Sequence, residues 1–191
     1  MAPWRFEIRP SPSTRMPAKS QFRDLDGTCR LPGSYNAETA EMKNEIVIPR
    51  EKAVFWLDGD GRWHNAHGPF QHKKIIDYFH ASIQKDQNGY YLFQETEERR
   101  EKVYFRFDDT ALFVFDVIQD DSLLLVLNTG ERLPLRPEGL FVEDDALYFR
   151  RGEERIKFTQ RCLMKISDRL EIRDDAYFIR IKNNRYRIAP L

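Results

Sequence analysis

The chain has 191 residues, of which 41% are hydrophobic and 14 are phenylalanine, enough to build a core and to exclude wholesale disorder. Lys plus Arg and Asp plus Glu number 31 each, so no global field gathers nucleic acid or anionic lipid. The longest apolar run, Leu123 to Leu127, is far below the roughly 20 residues that span a bilayer, so no membrane segment is expected.

Residues 1–45 carry prolines at 3, 10, 12, 17 and 32 and no sustained apolar period. An extended leader is expected there, with one short strand at Trp4–Ile8 and no secretory h-region. Cys29 and Cys162 do not form a disulfide framework, so a cytoplasmic setting is expected. From Ala53 the text becomes strand-rich. AVFWL (53–57) and RWHNA (62–66) flank the Asp58-Gly59-Asp60-Gly61 bend, a strong hairpin signal because glycine takes the positive φ of a tight turn. Residues 71–83 place Ile75, Ile76, Phe79 and Ile83 on one side of an amphipathic helix. Asn88-Gly89 turns into the strand 90–94, and 102–107, 111–118, 122–127 and 131–135 read as antiparallel strands joined by Asp- and Asn-rich turns.

The last third follows the same order: strand 140–142, turn, strand 146–150, a linker at 151–154, a helix-like segment with Leu163 and Ile166, then Asp174-Asp175 turning into AYFIRI. Tyr90-Tyr91 aligns with Tyr177-Phe178 at an offset of 87, and Trp63 with Tyr148 at an offset of 85. The fold class expected is α+β: mostly antiparallel strands with two short helices, in two similar subdomains built from a repeated hairpin-helix-strand motif. The borders are a leader at 1–45, a first repeat at 46–107, central strands at 108–135 and a second repeat at 136–191. Trp63 and Tyr148 are expected over their own helices, near Phe79 and Ile166.

Candidate chemistry is sparse. Asp58 and Asp60 are spaced like the first calcium-loop ligands, but Arg62 and Pro69 occupy positions where carboxylates are needed. All four histidines lie within 64–80, and a zinc reading would use His64, His67 and Asp77; with no cysteine nearby, packing histidines are the leading interpretation, and neither metal nor cofactor is expected. Cys162 reads as a buried structural residue. Alternation puts Lys102, Tyr104 and Arg106 on one strand face, with Arg100 just before them; Arg185 and Arg187 stand at the matching place in the second repeat. These six are the candidates for a groove that binds an anion or an acidic peptide. A solvated face is the competing interpretation.

The run from Leu57 to Leu92, with Asp58, Gly61, Arg62-Trp63-His64, Gly68-Pro69-Phe70, Tyr78-Phe79 and Gly89-Tyr90-Tyr91-Leu92, resembles the opening of the bacterial DUF1285 family, a domain of unknown function. The likeness continues through Asn128-Thr129-Gly130 and covers about 50–190. It implies an α+β fold of two subdomains with a repeated motif and a role in signalling or ligand sensing; it carries no catalytic residues onto this chain. The function expected is a non-catalytic ligand- or protein-binding module, with a small anion or a protein or peptide as partner and nucleic acid disfavoured. The alternative is a hydrolase-like enzyme, metal-dependent in its sharpest form, using His and Asp groups near the first hairpin. The sequence leaves the oligomeric state open.

Overall fold

A carboxylate closes the first bend. In the computed structural model, which describes residues 44–96, 99–120 and 123–191, Asp58 Oδ1 accepts the amides of Asp60 (3.0 Å) and Arg62 (2.7 Å), and Gly61 sits at φ 78°. The bend packs inward as well: a Cβ on Gly61 would lie 3.0 Å from the Phe113 ring, so this position needs glycine for both space and conformation. Asp58 is therefore spent on the turn's own amides. The leader's residues 1–43, its strand at Trp4–Ile8, Cys29 and the turn residue Asp121 lie outside the described residues.

In chain order the strands are β1 (Asn44–Ile48), β2 (Phe55–Leu57), β3 (Trp63–Asn65), β4 (Gly68–Pro69), β5 (Ile83–Asp86), β6 (Gly89–Glu95), β7 (Arg99–Tyr104) and β8 (Arg106–Phe107). They continue with β9 (Leu112–Gln119), β10 (Leu123–Leu127), β11 (Arg132–Pro134), β12 (Leu140–Glu143), β13 (Ala146–Arg151), β14 (Glu154–Phe158), β15 (Leu170–Arg173), β16 (Ala176–Ile181) and β17 (Asn184–Pro190). Helix α1 (Lys73–Ala81) follows β4 and α2 (Gln160–Lys165) follows β14. The fold is α+β, dominated by strands.

Three sheets result, in the orders β1-β7-β6-β5, β4-β3-β2-β8 and β11-β10-β9-β14-β13-β12-β17-β16-β15. Most neighbours are antiparallel; β1–β7, β2–β8, β14–β9 and β12–β17 are parallel. The Asp-Asp pairs make the tight hairpin turns expected of them. Asp144-Asp145 and Asp174-Asp175 all take positive φ between 47° and 58°, the two-residue geometry whose twist matches that of the flanking strands.

Three local expectations change. The helix expected over 71–83 runs only from Lys73 to Ala81, because Ile83 pairs with Leu92 and opens β5. The strand expected over 102–107 breaks at Phe105, which leaves the ladder and is fully buried, 4.9 Å from the Trp63 ring centre. Between the expected linker and the second helix lies β14, whose Ile156 and Phe158 enter the core.

Both helices present apolar residues to one continuous core. Phe79 of α1 meets Phe55 and Trp63 from the first part of the chain; Cys162 of α2 and Ile166 at its end join the interior with β9, whose Leu112, Phe113, Val114 and Val117 are all buried. The same cluster takes in Leu147, Ile179 and Ile188, so it runs without a gap from Phe55 to Ile188 in sequence. Trp63 lies against Phe79, 5.4 Å between ring centres, as expected. Tyr148 does not share the core with Ile166: it stacks on Phe141 on the opposite side of its sheet, while its neighbours Leu147 and Phe149 point into the core. Alternation gives the reason, since residues one apart on a strand face opposite ways.

Candidate anion-binding site

Strand β7 does bring Arg100, Lys102 and Tyr104 to one side, but each is engaged within its own sheet. Arg100 pairs with Glu95 across the β6–β7 ladder at 3.1 Å. Lys102 reaches Glu45 on β1 at 3.2 Å and Asp86 at 4.0 Å, and lies over the Tyr91 ring. Its bond to Glu45 holds the Lys102 ammonium above its ordinary pKa. Tyr104 is buried and donates to Asp86 Oδ2 at 2.7 Å, a bond that holds the Asp86 carboxyl below the usual range. Arg106, past the break at Phe105, lies over Trp56 at 5.9 Å and pairs with no carboxylate among the described residues. On β17, Arg185 reaches Glu171 at 3.1 Å and Arg187 stays exposed. Among the described residues no hydrogen bond or ion pair joins the β7 set to the β17 set.

The histidines separate in the same way. His64 Nε2 meets Asp58 Oδ2 at 2.7 Å and its ring stacks on Trp56. Burial raises the Asp58 carboxyl, but the Arg62 amide, His64 and the Asp60 amide outweigh that and hold it below its ordinary value. His67 is exposed, and Asp77 is tied to Lys73 one helical turn away, at 2.6 Å. No group of three or more His, Cys, Asp or Glu residues able to hold a metal occurs among the described residues. Cys162 is buried, and burial pushes its thiol up, which disfavours the reactive thiolate.

Two polar centres escaped sequence reasoning. Asp109, in a turn that connects β8 to β9, accepts Tyr148 Oη at 2.7 Å, Lys157 Nζ at 2.8 Å and Arg155 at 2.9 Å. Burial raises its carboxyl, while Lys157, Tyr148 and Arg155 lower it further, for a net downward shift; Tyr148 is pushed up to about 12 by burial and by Asp109. The second centre is the buried pair His80–Asn128. Asn128 Nδ2 donates to Ala111 O at 3.0 Å and to His80 Nδ1 at 3.2 Å, and its Oδ1 accepts the Phe113 amide at 3.1 Å. His80 is therefore a neutral acceptor at Nδ1, and burial lowers its pKa to about 4 against the opposing pull of Asp77. His80 and Asn128 occur 48 residues apart, and nothing local in the sequence connects them.

A cleft of about 550 Å³ lies where β12 begins and β13 and β17 end. Leu140, Phe141 and Pro190 give it apolar walls; Arg136 and Arg150 give it positive charge, and Glu138 stands in the same lining as its one acidic side chain. The Arg150 guanidinium stands 4.9 Å over the Phe141 ring, which holds it in place through the ring's negative face. Both arginines are exposed, and neither pairs with a carboxylate among the described residues. Gly139 brings the backbone close: a Cβ there would lie 2.7 Å from the Phe149 ring. Two unneutralised guanidinium forks beside apolar walls suit an anion that carries an apolar body.

The architecture is that of an α+β protein with a candidate cleft at the ends of β12, β13 and β17. No family model matches the chain, and no curated protein matches it in sequence. Among solved structures it is similar to a DUF1285 family protein from Silicibacter pomeroyi DSS-3, with 18% identity over 81% of this chain and 88% of that one, at a TM-score of 0.51. It is also similar to a DUF1285 family protein from Shewanella baltica OS155, with 18% identity over 60% of this chain and 91% of that one, at a TM-score of 0.42. The chain shares its fold with the first of these, which meets the resemblance read from its sequence. No helix among the described residues is long and apolar enough to cross a membrane.

Proposed function

We propose that the protein is a non-catalytic binding module whose cleft at Arg136 and Arg150 takes a small anion with an apolar or aromatic body, a role suited to signalling or regulation. The observation that carries this reading is the contrast in neutralisation. Arg100 and Lys102 sit within 3.2 Å of carboxylates in their own sheet, whereas Arg136 and Arg150 face an open cleft and pair with no carboxylate among the described residues. Thermal unfolding of the full chain with phenyl phosphate, benzoate and citrate tests it. A rise in Tm with at least one of these, lost in R136E/R150E, is expected. A flat response of the native chain to all three contradicts it.

The second reading, a hydrolase-like enzyme at the first hairpin, draws on the 2.7 Å contact of His64 with Asp58. A carboxylate that orients an imidazole is half of a general-base arrangement. Ester hydrolysis by the native chain that vanishes in H64A would favour it, and elemental analysis of untagged protein would expose a metal-dependent form.

We also infer that the two halves are copies of one unit. The support is the order of pairing. In the first half, β4-β3-β2-β8 is followed through β7 by β6 and β5; in the second, β14-β13-β12-β17-β16-β15 runs in the corresponding order, with α1 and α2 each in the same connection. Trp56 pairs with His64 as Phe141 pairs with Tyr148, and both pairs stack, at 5.6 and 5.2 Å. Under this register Tyr148 corresponds to His64, and Leu147 to Trp63, one residue away from the alignment read from sequence.

A further inference from the structure

The end of the large sheet offers a second surface, on the side of the molecule formed by β15, β16 and β17. Strand β15 is the terminal strand of the nine, paired on one side only with β16. The outer edge of such a strand turns alternate N–H and C=O groups outward, a template for one more strand.

The two faces flanking this edge differ sharply. On one face, register sets Glu171, Phe178 and Arg187 in a row and Arg180 beside Arg185, and alternation adds Arg173. Glu171 is the only acidic residue of the three strands, and it is shared by Arg173 (3.3 Å) and Arg185 (3.1 Å). Among the described residues Arg187 pairs with no carboxylate, and Arg180 bonds a backbone carbonyl, that of Asp168. On the other face opens a mostly apolar groove of about 230 Å³ between the sheet and α2, lined by Leu147, Leu163, Leu170, Ile172 and Tyr177, with Asp145 and Glu171 also in its lining. Of these, Ile172 is a large apolar side chain left 71% exposed.

We infer that the edge of β15 accepts an extended peptide of alternating acidic and apolar residues, whose acids meet Arg173, Arg185 and Arg187 while its apolar side chains enter the groove. A strand added to β15 has this two-sided requirement built in, because successive side chains point to opposite faces. A second copy of the chain suits the edge less well. Two β15 strands paired about a two-fold axis would bring two arginine-rich faces side by side, like charge beside like charge. The inference rests on the reading of the protein as a binding module but uses a different surface from the cleft.

The test is fluorescence anisotropy of the full chain with a fluorescein-labelled octapeptide alternating glutamate and valine, against the same peptide with lysine for glutamate. The acidic peptide should bind and the basic one should not. R173E/R185E and I172E, all at surface positions, should each weaken the acidic peptide at least tenfold with an unchanged circular-dichroism spectrum. R136E/R150E should leave peptide binding intact. No binding of the acidic peptide, or binding indifferent to R173E/R185E, overturns the inference; if phenyl phosphate still binds the cleft, the binding-module reading survives that failure. Tighter R173E/R185E-sensitive binding of oligothymidylate, or a dimer in sedimentation equilibrium that R173E/R185E dissolves, overturns it in favour of nucleic acid or a second copy.

Discussion

The strand that closes each half of the molecule is broken in one and whole in the other. In the first half, Phe105 interrupts the run between β7 and β8 and drops into the core against Trp63, so the pairing is divided between two four-stranded sheets. In the second, β17 runs unbroken from Asn184 to Pro190 and pairs with both β16 and β12, and the pairing of β14 with β9 joins this half to β9, β10 and β11 in one nine-stranded sheet. The cores differ accordingly. Phe55, Trp63, Phe79 and Phe105 interlock as edge-on or tilted rings in the first, while the second combines Leu147, Ile166, Ile179 and Ile188 with Phe149 and Phe158. A buried aromatic at one strand position thus exchanges a continuous outer face for a side chain in the core. The second half keeps an uninterrupted sheet face on which one carboxylate, Glu171, stands among Arg173, Arg180, Arg185 and Arg187.

The largest test of this contrast is truncation of Trp63, 1% exposed and in ring contact with Phe55, Phe79 and Phe105. Trp63→Ala should lower unfolding free energy by about 3–5 kcal/mol, and Leu147→Ala at the corresponding register by about 2–3 kcal/mol, read by urea titration. Equal losses would erase the distinction between the two cores.

Next comes pH. His80 is depressed from 6.5 to about 4 in the folded chain, so between those values the unfolded chain binds the extra proton. The stability contributed by the neutral ring is complete above pH 6.5 and is lost as pH falls through about 4, in all about 3 kcal/mol. H80Q should flatten the slope of stability against pH between 6.5 and 4. An unchanged slope would place the titration elsewhere.

Gly139→Ala tests the cleft wall. Its Cβ, 2.7 Å from Phe149, should cost about 1–3 kcal/mol in Tm-derived stability by overpacking. The smallest effect is expected from Tyr148→Phe, which removes one of the bonds to Asp109 while Lys157 and Arg155 remain, a loss of about 1 kcal/mol. A loss as large as that of Trp63 would mean that the Asp109 centre holds the sheet together.

Turn chemistry made much of the fold legible from sequence. The Asp-Gly and Asp-Asp bends, the apolar spacing around Phe79 and the strand order of the last third rest on local rules that act within a few residues. What stayed hidden was non-local. Nothing in KVYFRF marks Phe105 as leaving the ladder, because its burial depends on Trp63, 42 positions earlier. The alternation that grouped Lys102, Tyr104 and Arg106 holds for the first two and ends at Phe105, which sends Arg106 to β8 in another sheet. The carboxylates that occupy Arg100 and Lys102 come from β6 and β1, and pairing partners cannot be read from one strand. Arg136 and Arg150 carried no motif at all; their candidacy appears only when the ends of β12, β13 and β17 meet.

The most direct measurement is an NMR titration of the ¹⁵N-labelled full chain with phenyl phosphate. The account predicts saturable shifts at the amides of Gly139, Leu140 and Gly152 that vanish in R150E, with the Trp56–His64 hairpin silent. Shifts centred on Asp58 and His64, with the cleft amides unmoved, would contradict it.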